Sequence, residues 1–248
     1  MRYTWATASH KGMVRDNNED AIFPASSGDA QDQALAIVAD GMGGHVAGEV
    51  ASRIAINIAA SSDLGPADRV AAGNRAIREE VAREPSLEGM GTTMTLLSIE
   101  DETATIGHIG DSRAYLLRDG EFTQLTDDHT VAAEYVAMGQ LDPAEAAAHP
   151  QRHMLTRTLG LTRFVNVDEF KFDVAPGDLI LLCSDGLTEM VADDVIAATI
   201  ADLTPEEAVW ALVELANEAG GVDNITVALI KAEESADGVP GGNSNLSK

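Results

Sequence analysis

Four aspartates in this 248-residue chain each lie where an apolar, strand-like run of residues begins or ends. Asp40 and Asp185 come directly after such runs. Asp111 lies in a short link between two runs, and Asp223 comes just before a fourth. A carboxylate at the end of a buried strand is costly in free energy unless it is paired or binds a metal. These four residues are therefore candidate metal ligands.

The dipeptide Asp-Gly occurs four times in the chain, in different contexts. Asp119-Gly120 lies between two strand-like runs, which predicts a type I′ hairpin turn. Neither Asp40-Gly41 nor Asp185-Gly186 is followed by a returning strand at hairpin distance. Taken singly, Asp111 is explained as a turn residue and Asp223 as an Asx turn. Four aspartates at strand ends, with no matching bases nearby, favour a shared site instead.

Oxygen ligands without cysteine or paired histidine select hard cations such as Mg²⁺ or Mn²⁺. Gly41 would let its own backbone carbonyl approach such a cation closely. Two cations held close together would activate a water molecule and stabilise an in-line displacement at phosphorus. Arg15 is the candidate for holding the phosphate, since a guanidinium matches phosphate with two parallel hydrogen bonds. Alternatively, among 41 acidic residues, Arg15 pairs with a surface carboxylate.

Bulk composition excludes several classes of function. A formal charge of −25 disfavours binding to nucleic acid or to anionic membranes. The single cysteine, Cys183, lies inside an apolar run, so it forms no internal disulfide and builds no zinc site. It also lacks the flanking signature of a cysteine phosphatase, and no nucleophile elbow or Walker loop is present. With no signal peptide and no membrane-spanning run, we expect a cytoplasmic protein.

Short apolar runs predict strands at 34–39, 93–99, 103–109, 113–117, 179–183 and 225–230. Helical spacing predicts helices at 46–60, 67–83, 193–201 and 205–219. The strands come in clusters with short connections, which predicts antiparallel pairing and an α+β fold. Hydrophobic residues make up 45% of the chain and aromatic residues 4%, so the core must be aliphatic.

Residues 1–232 are predicted to form one domain, and residues 233–248, rich in Gly, Ser and Asn, a disordered tail. Segment 129–161 differs from the rest of the domain. It contains Ala-rich helical pieces, glycine and prolines, but no clear strand. We interpret it as an excursion from the core that could move.

Seven motifs of the chain resemble those of the bacterial PPM (PP2C-type) metal-dependent serine/threonine protein phosphatases. They span roughly residues 5–231 in the family's order, which makes the resemblance specific. The motifs are RDNNED at 15–20, VADGMGGHVAGE at 38–49, GMGTT at 89–93, GHIGDSRAYLLR at 107–118, LTRTLG at 155–160, CSDGL at 183–187 and GGVDNITV at 220–227.

The resemblance implies a four-layer α-β-β-α sandwich. Two antiparallel sheets would pack face to face, with a pair of helices on each outer side. Segment 129–161 would be the flap beside the active site, where it would affect substrate access.

The resemblance also implies metal ligands. Asp40 would bridge both catalytic metals, which would be Mn²⁺ or Mg²⁺. The Gly41 carbonyl would bind one of these ions, and Asp185 and Asp223 would bind the other. Asp111, together with Asp185, would hold a third ion.

Two further roles follow from the same resemblance. Asp20 would hold a metal-bound water from the second shell, and Arg15 would clamp the substrate phosphate. One position departs from the animal members, which have a proposed general-acid histidine where this chain has Met42. His45 is interpreted as structural and His153 as a surface residue of the flap. Leaving-group protonation would then fall to metal-bound water or to another histidine such as His153.

The implied function is hydrolysis of phosphoserine and phosphothreonine in proteins by a metal-activated water attacking phosphorus in line. Phosphoproteins, including a Ser/Thr protein kinase, would be the partners of a monomeric enzyme. A non-catalytic binding module of the same fold is the main alternative, although the complete ligand set argues against it. A third reading is a magnesium-dependent enzyme acting on a nucleotide, but so aromatic-poor a chain offers no base-stacking signal.

Overall fold

The structure, a computed structural model, describes residues 1–43 and 47–235. Its strands, in chain order, are β1 (Arg2–His10), β2 (Ala21–Phe23), β3 (Gly28–Gln31), β4 (Gln33–Ala39), β5 (Gly41–Met42), β6 (Gly91–Thr92), β7 (Met94–Glu100), β8 (Thr103–Ile109), β9 (Arg113–Arg118), β10 (Glu121–Gln124), β11 (Asp168–Asp173), β12 (Leu179–Cys183) and β13 (Ile225–Glu233). Its α-helices are α1 (Ala47–Ala60), α2 (Pro66–Arg83), α3 (Val131–Ala137), α4 (Pro143–Ala146), α5 (Asp185–Thr188), α6 (Asp193–Asp202) and α7 (Pro205–Glu218).

Two antiparallel sheets form the centre of the molecule. The first has six strands in the order β10-β9-β12-β13-β1-β3, and the second has five in the order β11-β8-β7-β4-β2. In the six-stranded sheet, β1 pairs along its whole length with β13, from Arg2 opposite Glu233 to His10 opposite Ile225. The two ends of the described chain thus meet in the middle of one sheet.

Apolar side chains form three clusters that separate four layers. One cluster fills the space between the two sheets. A second lies between the five-stranded sheet and helices α1 and α2, and a third between the six-stranded sheet and helices α6 and α7. Nearly all the buried hydrophobic side chains are aliphatic, with Tyr3 and Tyr115 as fully buried exceptions. The predicted α-β-β-α sandwich with helix pairs on its outer sides is confirmed.

The predicted elements with strong periodicity are present in the structure. All six predicted strands and all four predicted helices occur, with ends shifted by up to three residues. Helix α7 begins with the capping box that Thr204 and Glu207 form at its N-terminus. Residue 46, the predicted start of the first helix, lies outside the described residues. Strands such as β1 and β11 escaped prediction because polar residues alternate along them.

The prediction of antiparallel pairing was wrong at one short connection. Strands β8 and β9 are linked by only Gly110, Asp111 and Ser112, yet β8 belongs to the five-stranded sheet and β9 to the six-stranded sheet. Gly110 makes this crossing with φ +111°, a backbone conformation that side chains rarely allow. The link consequently carries Asp111 from one sheet to the other instead of around a hairpin.

The flap segment, 129–161, contains the short helices α3 and α4 and no strand, as predicted. Its two ends lie side by side, because Thr130 and Leu155 form an isolated antiparallel bridge and the Thr156 N–H donates to the His129 carbonyl at 2.8 Å. At the other end of the chain, strand β13 continues through Glu233, so the predicted tail begins later than residue 233. Residues 236–248 of that tail lie outside the described residues. Among the described residues, none of the helices combines the length and the apolar character that crossing a membrane would require.

Candidate metal and phosphate site

Asp40 follows strand β4 and is held by the segment that leads into β7. Its N–H donates to Thr93 Oγ1 at 2.9 Å, and its carbonyl accepts from the Thr93 N–H at 2.9 Å. The Thr92 hydroxyl also donates to the Asp40 carbonyl, at 2.8 Å. These three hydrogen bonds fix the backbone from which the Asp40 carboxylate extends.

Asp111 is tied to the same segment through its neighbour Ser112. The hydroxyls of Ser112 and Thr93 are hydrogen bonded at 2.8 Å, and Thr95 Oγ1 donates to the Ser112 carbonyl at 2.7 Å. Asp111 itself is buried, with only 8% of its surface exposed. The link between the two sheets therefore places Asp111 close to Asp40.

Asp185 begins the short helix α5, directly after Ser184 at the end of strand β12. The Ser184 hydroxyl donates to Asp20 Oδ2 at 2.8 Å and accepts the Thr226 N–H at 3.0 Å. Asp20, which is 8% exposed, is brought to Asp185 by this hydroxyl. The Asp20 and Asp185 carboxylates, far apart in sequence, thus share one buried corner.

Asp223 and Arg15 complete the site from opposite ends of the chain. Asp223 Oδ1 accepts the Asn224 N–H at 2.7 Å, and Arg15 Nη2 donates to Asp223 Oδ2 at 2.5 Å. The adjacent Asn224 side chain anchors the loop that carries Arg15, accepting the Glu19 N–H at 2.7 Å and donating to the Asn17 carbonyl at 2.9 Å. Arg15 does pair with a carboxylate, as the alternative prediction stated, but that carboxylate is a predicted metal ligand.

The electrostatics of the site show that its carboxylates converge. Burial, together with the charge of Asp185, raises the pKa of Asp20 to about 7, although hydrogen bonds from Ser184 and Thr226 oppose the rise. Burial and the nearby Glu189 raise the pKa of Asp185 to about 6. Burial also raises the pKa of Asp40, whose carboxyl group feels the charges of Asp20, Asp185, Asp111 and Asp223. Burial and Asp185 likewise raise the pKa of Asp111.

Two fully buried carboxylate oxygens in this cluster have no hydrogen-bond partner within residues 1–43 and 47–235. They are Asp20 Oδ1 and Asp185 Oδ1. A buried, unpaired carboxylate oxygen costs free energy, and neighbouring negative charges add to that cost. A divalent cation bound among these carboxylates would remove both costs, so the donor set fits Mg²⁺ or Mn²⁺.

Gly41 follows Asp40 where the chain leaves strand β4. A Cβ added at Gly41 would lie 2.2 Å from the Gly48 carbonyl oxygen and 2.5 Å from that of Glu19. Only glycine fits between these two backbone segments. This packing explains why residue 41 is a glycine. The role of its carbonyl as a metal ligand stays a prediction.

A cavity of about 480 Å³ lies between these carboxylates and the flap. Asp111 and Asp185 line it on one side, and His153 of the flap lines it on the other. His153 Nδ1 contacts Glu189 Oε1, one helical turn after Asp185. His153, Asp185 and Glu189 offer ligand atoms that all lie within 4.8 Å of one another. Sequence reasoning assigned no role to Glu189, although its spacing of four residues from Asp185 on a short helix was a usable signal.

The base of the flap is anchored by residues that the sequence analysis also missed. Arg113 donates two hydrogen bonds to the Asp128 carboxylate, at 2.8 and 2.7 Å. His129 Nδ1 accepts the Gly110 N–H at 3.0 Å, while its Nε2 bonds Asp168 Oδ2 at 3.0 Å. The flap base is therefore connected to the residue that precedes Asp111. His45, interpreted as structural, lies outside the described residues.

Comparison with known proteins supports a single family. Residues 9–215 match the family model described as "Protein phosphatase 2C". The chain is 42% identical over 234 residues to the serine/threonine protein phosphatase PstP of Mycobacterium tuberculosis, covering 91% of this chain and 44% of PstP. It is 37% identical to the protein phosphatase PhpP of Streptococcus pneumoniae, covering 90% of this chain and 95% of PhpP. The chain thus spans less than half the length of PstP and nearly all of PhpP.

Solved structures agree with the sequence comparison. The crystal structure of the M. tuberculosis phosphatase PstP/Ppp matches with a TM-score of 0.86 and 41% identity, covering 94% of this chain and 100% of that one. The catalytic domain of PstP in complex with two manganese ions matches with a TM-score of 0.83 and 38% identity, covering 94% and 99%. With a matching family model, close relatives and a shared fold, this chain belongs to the protein phosphatase 2C family.

Proposed function

We propose that this chain is a metal-dependent phosphatase that hydrolyses phosphoserine and phosphothreonine in proteins. The observation that carries the proposal is the convergence of the Asp20, Asp40, Asp111 and Asp185 carboxylates beside the Arg15–Asp223 pair. Two of these carboxylates, Asp20 and Asp185, each have an oxygen without a hydrogen-bond partner. The relatives PstP and PhpP are named as protein phosphatases, and this arrangement of carboxylates agrees with that activity.

Asp40, Asp185, Asp223 and the Gly41 carbonyl are the residues that would hold two catalytic cations. Asp111, with Asp185, would hold a third. When bound, such cations lower the pKa of water and offset the charge that develops around phosphorus during displacement. PstP is known with two manganese ions, and we propose that this chain uses Mn²⁺ or Mg²⁺.

Arg15 is suited to holding the substrate phosphate. Its side chain is 52% exposed, so a phosphate can reach the guanidinium without any change in the core. Its Nη2 bonds Asp223, which leaves other N–H groups of the fork free to donate to phosphate oxygens. Asp223 thus orients the guanidinium as well as contributing a carboxylate to the site.

Asp20 is suited to orienting the attacking water. Its Oδ2 is held by the Ser184 hydroxyl, while Oδ1 has no hydrogen-bond partner among the described residues. Oδ1 would accept a hydrogen bond from a water molecule and so help to orient it. His153 lines the cavity together with Asp185, and its partly exposed imidazole contacts Glu189.

The test is hydrolysis of p-nitrophenyl phosphate and of a phosphothreonine peptide, with MnCl₂, with MgCl₂ and with EDTA. We expect turnover with metal, none with EDTA, and loss of turnover in Asp185→Ala. Asp119→Asn, in the exposed β9–β10 turn, is the matched control and should behave like wild type. Folded protein that turns over neither substrate with either metal would contradict the proposal and favour the non-catalytic binding module.

Several finer points belong to the same proposal. Residues 1–232 would be the catalytic domain, with 129–161 as a movable flap. Buried Cys183, which forms no disulfide, suits the reducing cytoplasm. The prediction that a Ser/Thr protein kinase is among the substrates, and that the enzyme is a monomer, rests on the family resemblance alone.

A further inference from the structure

Three apolar side chains are exposed beside Arg15, where two segments of the chain meet. Met13 is 67% exposed, Val14 66% and Val222 42%. We call Met13, Val14 and Val222 the clamp-side patch. The residues of this patch come from two distant parts of the chain that meet at Gly221.

Hydrogen bonds and close packing fix the backbone of the residues that form the clamp-side patch. The N–H groups of Met13 and Val14 both donate to the Gly221 carbonyl, at 2.7 and 3.3 Å. Gly12 has φ +78°, and a Cβ there would lie 2.1 Å from the Asp223 carbonyl oxygen. These apolar side chains are therefore exposed on a backbone that hydrogen bonds and close packing hold in place.

The patch is continuous with the phosphate-binding group. Arg15 follows Val14 in the chain, and its Nε donates to the Val222 carbonyl at 3.4 Å. On its inner side, Gly220 packs near Met190 Sδ, and Met190 lines the cavity that contains Asp111 and Asp185. A phosphate held by Arg15 would therefore lie next to this patch.

Other exposed apolar side chains in the described part of the chain lie elsewhere, including Tyr135, Met138 and Met154 on the flap. Many lie on outer helices and their ends, as Ile58, Val195 and Trp210 do. Single exposed apolar residues are ordinary on protein surfaces, whereas clustered ones mark sites of interaction. The clamp-side patch groups three such side chains directly beside Arg15.

We propose that the clamp-side patch binds an apolar side chain adjacent to the phosphorylated residue of the substrate. This inference rests on the proposed function and narrows its substrate class. Because Arg15 directly follows Val14, and consecutive Cα atoms are about 3.8 Å apart in both chains, we place the neighbour of a phosphoresidue held by Arg15 at the patch. An acidic side chain at that place is disfavoured, since Asp16 is exposed beside Arg15 and the whole chain is strongly negative.

The experiment compares phosphothreonine peptides that differ only in the flanking residues, which are Leu, Gln or Glu. We expect wild-type kcat/KM to be about 5- to 10-fold higher for the Leu peptide than for the Gln peptide, and lowest for the Glu peptide. In Val14→Thr and Met13→Gln the ratio of Leu to Gln should fall towards one. Because the ratio is measured within one preparation, the fraction of folded enzyme does not affect it.

Val195→Thr is the matched control, since Val195 is 42% exposed on helix α6, outside the patch. It should keep the wild-type ratio. Turnover of all peptides with no preference for Leu, or a preference that survives in Val14→Thr, would overturn the inference alone. A change of oligomeric state in Val14→Thr, measured by light scattering, would instead assign the patch to self-association and also overturn it. Absence of turnover on any substrate, p-nitrophenyl phosphate included, would overturn the proposed function itself and this inference with it.

Discussion

The Ser184 hydroxyl donates a 2.8 Å hydrogen bond to Asp20 Oδ2, joining two residues 164 positions apart. The same hydroxyl accepts the Thr226 N–H from strand β13. It therefore connects a strand of the central sheet to the carboxylate that we propose orients water. Because Ser184 directly precedes Asp185, this hydrogen bond also sets the distance between two carboxylates of the site.

Ser184→Ala should weaken metal binding by about 10- to 100-fold, the usual effect of losing a group that orients a ligand shell. The substitution removes the Ser184 donor to Asp20 Oδ2 and the acceptor of the Thr226 N–H. Mn²⁺ titration by isothermal calorimetry measures the effect directly. Ser61→Ala, at the exposed end of helix α1, is the control. An unchanged Mn²⁺ affinity in Ser184→Ala would show that this hydrogen bond has no role at the site.

The metal-free protein should become less stable as pH rises. The pKa values of Asp20, about 7, and Asp185, about 6, lie above the ordinary value of 3.8, so the folded state binds more protons than the unfolded state in this range. The contribution of these two groups to the free energy of unfolding is fully present below pH 3.8 and is lost as pH rises through about 7. Urea denaturation in EDTA, at several pH values from about 5 to about 8, measures this fall.

Two controls belong to the pH experiment. Asp20→Asn should flatten the dependence, while Asp119→Asn should leave it as in wild type. Adding Mn²⁺ should raise stability most at the high end of the range, where the carboxylates are ionised and bind cations best. If the metal-free protein gained stability across this range, the inferred crowding of carboxylates would be wrong.

Arg15→Lys should lower kcat/KM by about 10- to 100-fold on both p-nitrophenyl phosphate and phosphopeptides. A lysine keeps the positive charge but cannot make two parallel hydrogen bonds to phosphate, and a hydrogen bond to a charged group contributes about 1.5–3 kcal/mol. Steady-state kinetics with Mn²⁺ measures the loss. Arg53→Lys is the control, because Arg53 forms an exposed ion pair with Glu49 on helix α1. Equal kinetics in Arg15→Lys and wild type would rule out a phosphate clamp at this residue.

His129→Ala should loosen the base of the flap. It removes the acceptor of the buried Gly110 N–H and the donor to Asp168, and each such loss costs about 1–3 kcal/mol. Amide hydrogen exchange at Val131 and Thr156 should accelerate by about 10- to 100-fold. Amides of helix α7, on the far sheet, provide the internal control. Equal acceleration in both regions would indicate global destabilisation rather than a role at the flap base.

Much of the fold could be predicted from local patterns. Strand β12 is a continuous apolar run, and helix α7 carries its cap at Thr204, so both are recognisable without any partner. The turn at Asp119-Gly120 was also predicted, and both residues have positive φ, as a type I′ turn requires. Strand β1 was missed because its Ser, Thr and His residues belong to no apolar run, and only its partner β13 makes it the interior strand of a sheet.

The residue types of the site were determined by the sequence itself: aspartates at strand ends, a glycine after one of them, an arginine in an acidic loop, and seven motifs in family order. Their mutual positions were decided by the tertiary structure. The crossing at Gly110 moves Asp111 between sheets, Ser184 joins Asp20 to Asp185, and Asn224 anchors the loop of Arg15. Each relationship depends on how the strands are arranged in the two sheets, and local propensity carries no information about which distant strands pair.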